Sequence, residues 1–209
     1  KFIVWTLPTN IGEGLVILAA IFAGVTLPIL PVQILWINMT TAVLLGLMLV
    51  FEPKEPEIMV RTPRNPKEPI LTRALVSRIA IVGFLLLLGA FGLFEYELSN
   101  GAGAAQARTV AVNVFVIGEL FYLFNCRSLT ESVFKVGFFS NPWLFGGAGL
   151  MLVLQLLFTY LPFMNTAFHS SPIGLDSWLR IAAAAYLITL AVGIEKFFVR
   201  KRGKAPLTG

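Results

Sequence analysis

An all-α bundle of six membrane-spanning helices is the fold class this sequence predicts, and three observations predict it. Hydrophobic residues make up 57% of the 209 positions and charged residues only 13%, against roughly 45–50% and 25% in soluble domains. The apolar residues fall into six runs, at roughly 2–25, 30–51, 73–96, 107–126, 143–163 and 177–199, each close to the ~20 residues a helix needs to cross about 30 Å of hydrocarbon. Lys and Arg gather at alternate ends of these runs. The mean hydropathy of +0.83 agrees.

The first run contains Pro8, Asn10, Gly12 and Glu13. Proline inside a helix removes a backbone hydrogen bond and can kink it. A carboxylate near the middle of a bilayer costs about 2.5–3.5 kcal/mol on insertion scales, so Glu13 is expected to face protein and to have a partner. The second run opens at Pro31 and holds Asn38-Met39-Thr40-Thr41, three short polar side chains in four places. Such side chains compete for backbone hydrogen bonds, so this helix is expected to be unwound between about Asn38 and Ala42, which at that depth is tolerated only where backbone lines a protein cavity.

Residues 52–72 carry prolines at 53, 56, 63, 66 and 69 and predict a stiff, extended connector. Gly101-Ala102-Gly103-Ala104-Ala105 reads as a short loop. In the fourth run Glu119, Tyr122 and Asn125 lie three apart and share a helical face. The fifth run starts Asn141-Pro142, with proline where its missing N–H is harmless. The last starts near Asp176 and Ser177, good N-cap residues, and ends near Glu195, where water is expected to solvate the carboxylate. Trp36, Trp143, Trp178 and Tyr160 read as interfacial aromatics.

The connector holds Lys54, Arg61, Arg64 and Lys67, the turn after the fourth run holds Arg127 and Lys135, and the C-terminal end holds Lys196, Arg200, Lys201, Arg202 and Lys204. The opposite connections, 26–30, 97–106 and 164–176, contain no Lys or Arg, and of the 16 such residues only Arg108 and Arg180 fall near that side. The orienting rule counts Lys and Arg rather than net charge, so both termini are expected in the cytoplasm. The formal charge of +5 is thus topological, and no basic helix with interleaved aromatics points to nucleic acid. The single cysteine, Cys126, rules out an intramolecular disulfide, and the single histidine, His169, rules out a transition-metal site built from imidazoles.

Asn10 and Glu13 share a face of the first helix, as do Asn38 and Thr41 of the second. With Glu119 they could surround one hard cation, which takes six to eight oxygens from carboxylates, amides, backbone carbonyls and water. Asn, Thr and Glu also join membrane helices by hydrogen bonds without binding any ion. A free-standing six-helix channel or carrier, or a purely structural membrane module, would suit the same residues.

A resemblance narrows these alternatives. Asn10-Ile11-Gly12-Glu13, followed by Pro31-Val32-Gln33-Ile34-Leu35-Trp36-Ile37-Asn38-Met39-Thr40-Thr41, resembles the ion-binding helices of cation-pumping P-type ATPases, the calcium-pump branch especially. Ile58-Met59-Val60-Arg61-Thr62-Pro63-Arg64 looks like that family's connector to the phosphorylation domain, and Ala107-Arg108-Thr109-Val110-Ala111 and the last run are also similar. The resemblance implies that Asn10, Glu13, Asn38, Thr41 and Glu119 fall on ion-ligand positions. Two positions depart from the family: Ala42 stands where calcium pumps place an aspartate that bridges two ion sites, and Tyr122 replaces an amide, whereas Asn125 retains one. No Asp-Lys-Thr-Gly motif and no Gly-rich phosphate loop occurs here.

The chain therefore reads as the C-terminal membrane region of a longer pump of a bacterial plasma membrane. Residues 1–51 would carry the ion site, 52–72 a cytoplasmic connector, 73–199 four supporting helices and 200–209 a basic tail. The expected partners are lipid and the remaining helices and cytoplasmic domains of the pump. The expected cargo is a cation, Ca2+ first, with ATP and Mg2+ confined to those other domains.

Overall fold

The computed structural model describes residues 1–53, 71–128 and 137–201, and every regular element among them is helical. Six helices among the described residues are long and apolar enough to cross a membrane. Most of the connector 52–72, including Ile58–Arg64, and residues 202–209 lie outside the described residues.

Helix α1 (Phe2–Ala23) runs through Pro8 without interruption. Because Pro8 has no N–H, the Val4 carbonyl lacks its helical donor; the Tyr122 hydroxyl supplies one from another helix at 2.8 Å. At the far end Gly24 sits at φ 66°, a left-handed conformation that glycine adopts without a Cβ penalty. Its N–H and that of Val25 then close onto the carbonyls of Ile21 and Ala20.

Helix α2 (Pro31–Thr41) begins with Pro31 at its first position, and the Gln33 carboxamide accepts from the Leu30 N–H at 3.0 Å. The expected interruption takes a different form. Residues 38–41 keep α-helical winding, and the span then passes into a π-helical turn at Ala42–Gly46 and a 3-10 segment at Leu47–Phe51. The hydroxyls of Thr40 and Thr41 bond back to the carbonyls of Trp36 and Ile37 at 2.6 and 2.9 Å. Such back-bonding loosens a helix without unravelling it. The chain widens after the threonines and remains helical.

Helix α3 (Arg73–Ser99) is capped by the Thr72 hydroxyl, which accepts from the Leu75 N–H. Helix α4 (Ala104–Cys126) is the axis of the molecule, with every residue from Thr109 to Leu120 buried. Helix α5 (Pro142–Tyr160), capped by Asn141, stops earlier than position 163 because Pro162 holds Leu161 extended. Pro162 opens a short helix, α6 (Pro162–Phe168), which ends at the exposed His169. Helix α7 (Leu175–Lys201) starts one residue before Asp176. Asp176 and Ser177 are accordingly not its caps: Asp176 lies in the first turn, where an acidic group suits the helix dipole, and the Ser177 hydroxyl donates to Glu97 at 2.8 Å.

Ion pairs tie α3 to α7 at both ends, so the two run antiparallel. Arg180 donates to Glu97 at 2.9 Å, and the buried Arg78 donates to Glu195. The second pair corrects the expectation of a solvated Glu195, whose side chain is only 12% exposed. Neighbouring Lys196 donates to the backbone carbonyls of Asn125, in the last turn of α4, and of Ser128, just beyond it. Trp36 is also not interfacial: it is buried between Phe158 and Phe168.

Candidate ion-binding site

Four of the five expected site residues meet where α1, α2 and α4 converge. Glu13 faces inward from α1 and is 4% exposed, because the same face carries Thr9, Gly12, Val16 and Ala20, all buried. Asn38 on α2 donates from Nδ2 to Glu13 Oε2 at 2.6 Å and to its own helix at Ile34 O at 3.1 Å. Glu119 on α4 is 1% exposed, and the Thr41 side chain lies against it, with its own hydroxyl proton donated to Ile37 O. The two carboxylates stand close enough for their charges to interact.

The centre is incompletely satisfied. Glu13 Oε1 and Glu119 Oε2 are buried and have no hydrogen-bond partner, and Asn125 Nδ2, two turns along α4, has none either. An unpaired buried polar atom costs about 1–3 kcal/mol, more when charged. Two such carboxylate oxygens in one place are therefore a feature that some function must justify. No three His, Cys, Asp or Glu side chains converge among the described residues, so the charge available here is that of two carboxylates.

Asn10 is not brought to this cluster. It is exposed on the side of α1 that also presents Ile11 and Gly14, a face this chain leaves uncovered. Tyr122 does not contribute to it either, because its hydroxyl is engaged by Val4 O. A second bond joins the same two helices in the opposite direction, from Trp5 Nε1 on α1 to the backbone carbonyl of Glu119 on α4 at 3.1 Å. Trp5 and Tyr122 thus pin the first turn of α1 to α4 beside Glu119.

Sequence reasoning passed over a second polar cluster. Trp36 Nε1 donates to Gln155 Oε1 at 3.1 Å, Gln155 Nε2 to Asn113 Oδ1 at 3.1 Å, and Asn113 Nδ2 to Thr109 O and Thr159 Oγ1. The signal was available: Asn113 and Gln155 are carboxamides inside apolar runs, and intramembrane amides join helices.

The fold and this centre define a polytopic α-helical membrane protein with a buried acidic polar site between helices. The family described as "Cation transporting ATPase, C-terminus" matches residues 26–198, and the chain belongs to it. It is 55% identical over 206 residues to "Probable cation-transporting ATPase F" of Mycobacterium tuberculosis, covering 99% of this chain and 23% of that protein. It is 34% identical over 186 residues to "Cation-transporting ATPase pma1" of Synechocystis, covering 85% of this chain and 20% of the relative. The "Calcium-transporting ATPase" of Bacillus subtilis is 34% identical over 190 residues, 90% of this chain and 21% of that protein. The chain thus spans about a quarter of the length of the curated relatives it matches.

Proposed function

We propose that this chain forms the membrane ion pathway of an ATP-driven P-type cation pump, and that Glu13, Asn38, Thr41 and Glu119 hold one transported cation. Asn10 joins them from the uncovered face of α1, where the other membrane helices of the pump would pack. One observation carries the reading: two buried carboxylates on different helices, each with an orphan oxygen, lie against the amide and hydroxyl of a third helix. A cation shared between those oxygens removes the cost of leaving them unpaired.

The ligand types favour a hard cation. With Ala42 contributing no charge, two carboxylates balance one divalent ion, whereas two such ions would leave two positive charges uncompensated in a low-dielectric interior. We assign one Ca2+ per cycle on that ground. The Bacillus subtilis relative is called calcium-transporting and the Mycobacterium tuberculosis relative only cation-transporting. ATP, Mg2+ and the phosphorylated residue belong to the remainder of the pump. There the phosphorylation cycle would move α1 and the second span, while α3, α4, α5 and α7 form the support that carries Glu119.

The distribution of Lys and Arg supports a reading with both termini in the cytoplasm, and the bacterial relatives support a bacterial plasma membrane as its location. A single cysteine introduced by Gly101→Cys is then labelled from outside; labelling only from the cytoplasm overturns the topology. The site itself is tested in the full-length pump by Ca2+-stimulated ATP hydrolysis and equilibrium Ca2+ binding. One Ca2+ per pump, lost on Glu13→Gln, is the expected result. Two bound ions, or indifference to Glu13→Gln, would sink the assignment.

A further inference from the structure

The second span changes winding twice below Thr41, from α to π at Ala42 and from π to 3-10 at Leu47. A π turn holds an extra residue and a 3-10 segment has poorer hydrogen bonds, so neither persists without support from its surroundings. Relaxing such a stretch to α-winding by one residue rotates the adjoining helix by about 100°. Thr41 is the last residue before the π turn and Asn38 lies one turn earlier. Any such rotation moves the two groups that α2 presents to Glu13 and Glu119.

Three residues hold this half of the span: Arg127 and Asn141 in the segment joining α4 to α5, and Gly147 in the second turn of α5. The Leu44 carbonyl in the π turn rests on Gly147, where an added Cβ would collide with its oxygen. Asn141 Nδ2 donates to Met48 O at 3.0 Å and to Glu52 Oε2 at 2.9 Å, while Asn141 Oδ1 caps α5 by accepting from the Leu144 N–H. Arg127, fully buried just after α4, donates from Nε to both Glu52 oxygens at 3.0 and 3.2 Å. Its Nη atoms reach the carbonyls of Phe138 and Gly137 and the Ser140 hydroxyl. Glu52 ends the 3-10 segment, with its own backbone already extended. The span is thus clamped at its π turn, in its 3-10 segment and at its last residue.

We infer that Arg127, with Asn141 and Gly147, is a positioning residue for the cation site: it fixes the register of residues 42–52, and that register sets where Asn38 and Thr41 stand against the two carboxylates. Arg127 touches no ion and acts through Glu52. The planar guanidinium suits the role because it satisfies a carboxylate, two carbonyls and a hydroxyl in fixed directions, which an ammonium on a flexible stem cannot. The inference rests on the cation-site reading above.

The test uses the full-length pump with Ca2+ as the varied cation. Arg127→Lys keeps the charge and loses the fork. Asn141→Ser keeps a cap for α5 and removes the donor to Met48 and Glu52. Gly147→Ala drives a methyl into the Leu44 carbonyl. Each is expected to raise the half-saturating Ca2+ concentration about 3- to 10-fold, with the maximal hydrolysis rate per phosphorylatable pump within about twofold of the parent. A lowered maximal rate at unchanged half-saturation, or no change in either, overturns the inference. Loss of all three variants from the membrane would assign the clamp to folding alone and overturn it too. Glu13→Gln, measured alongside, separates the two levels. If it removes Ca2+ dependence while the clamp variants leave half-saturation unchanged, only this inference fails; if it leaves Ca2+ dependence intact, the site reading fails.

Discussion

Two polar clusters of this bundle lie six residues apart on α4, Asn113 to Glu119, about 9 Å of helical rise, and they differ in how completely they are satisfied. Around Gln155, the carboxamides of Gln155 and Asn113 and the Trp36 indole all have partners, and each bond joins or braces helices α2, α4 and α5. Around Glu13 and Glu119 one oxygen of each carboxylate is left bare. Both clusters are buried, so exposure does not explain the difference. A closed network needs nothing further and reads as helix-to-helix attachment. An open one retains capacity for a ligand. The physical mark that separates site from glue is thus the unmet hydrogen-bonding capacity of charged atoms rather than the presence of polar residues.

The largest effect that would test this contrast is expected from the open cluster. Glu119→Gln should raise the half-saturating Ca2+ concentration of the full-length pump tenfold or more, at least ~1.4 kcal/mol of binding. The folded protein should lose little stability, since the oxygen removed had no partner in the first place. A large drop in the melting temperature with unchanged Ca2+ dependence would make Glu119 glue after all.

Gln155→Leu should behave in the opposite way. It strands Trp36 Nε1 and Asn113 Oδ1, and interhelical bonds of this kind average ~0.6 kcal/mol and reach ~1.7; a stability loss in that range is expected in detergent unfolding, with Ca2+ half-saturation shifted less than threefold. A tenfold affinity loss in Gln155→Leu would erase the distinction between the clusters.

Ala42→Asp adds a carboxylate next to the open cluster and nothing to the closed one. A higher Ca2+ affinity or a second bound ion is expected by equilibrium binding. An unchanged stoichiometry and affinity would show that position 42, at the start of the π turn, does not face the ion.

The smallest effect is expected from Tyr122→Phe. It removes one donor to Val4 O, ~1 kcal/mol of stability, and leaves the ion ligands in place. Should Ca2+ affinity fall tenfold instead, Tyr122 would belong to the site rather than to the α1–α4 attachment.

The order of residues alone settles the number of spans, their approximate ends and the polar residue types inside them. Crossing hydrocarbon imposes length and composition on each segment locally, and a carboxylate in such a segment is conspicuous wherever it points. That the second span departs from regular α-winding was legible to within a turn, because the threonines that loosen it are adjacent in sequence; that the departure is a π turn and a 3-10 segment after Thr41, rather than unwinding at 38–42, was not. Which faces meet was not legible. These helices are apolar on nearly all sides, so no stripe announces the inward direction. Packing between helices is what turns Glu13 in and Asn10 out, commits the Tyr122 hydroxyl to the carbonyl freed by Pro8, pairs Glu195 with Arg78, and brings Gln155 to Trp36 from 119 residues away. Each of those depends on the rotation of one helix about its axis relative to another, a quantity set by steric fit between neighbours and recorded nowhere in the order of residues along a single helix.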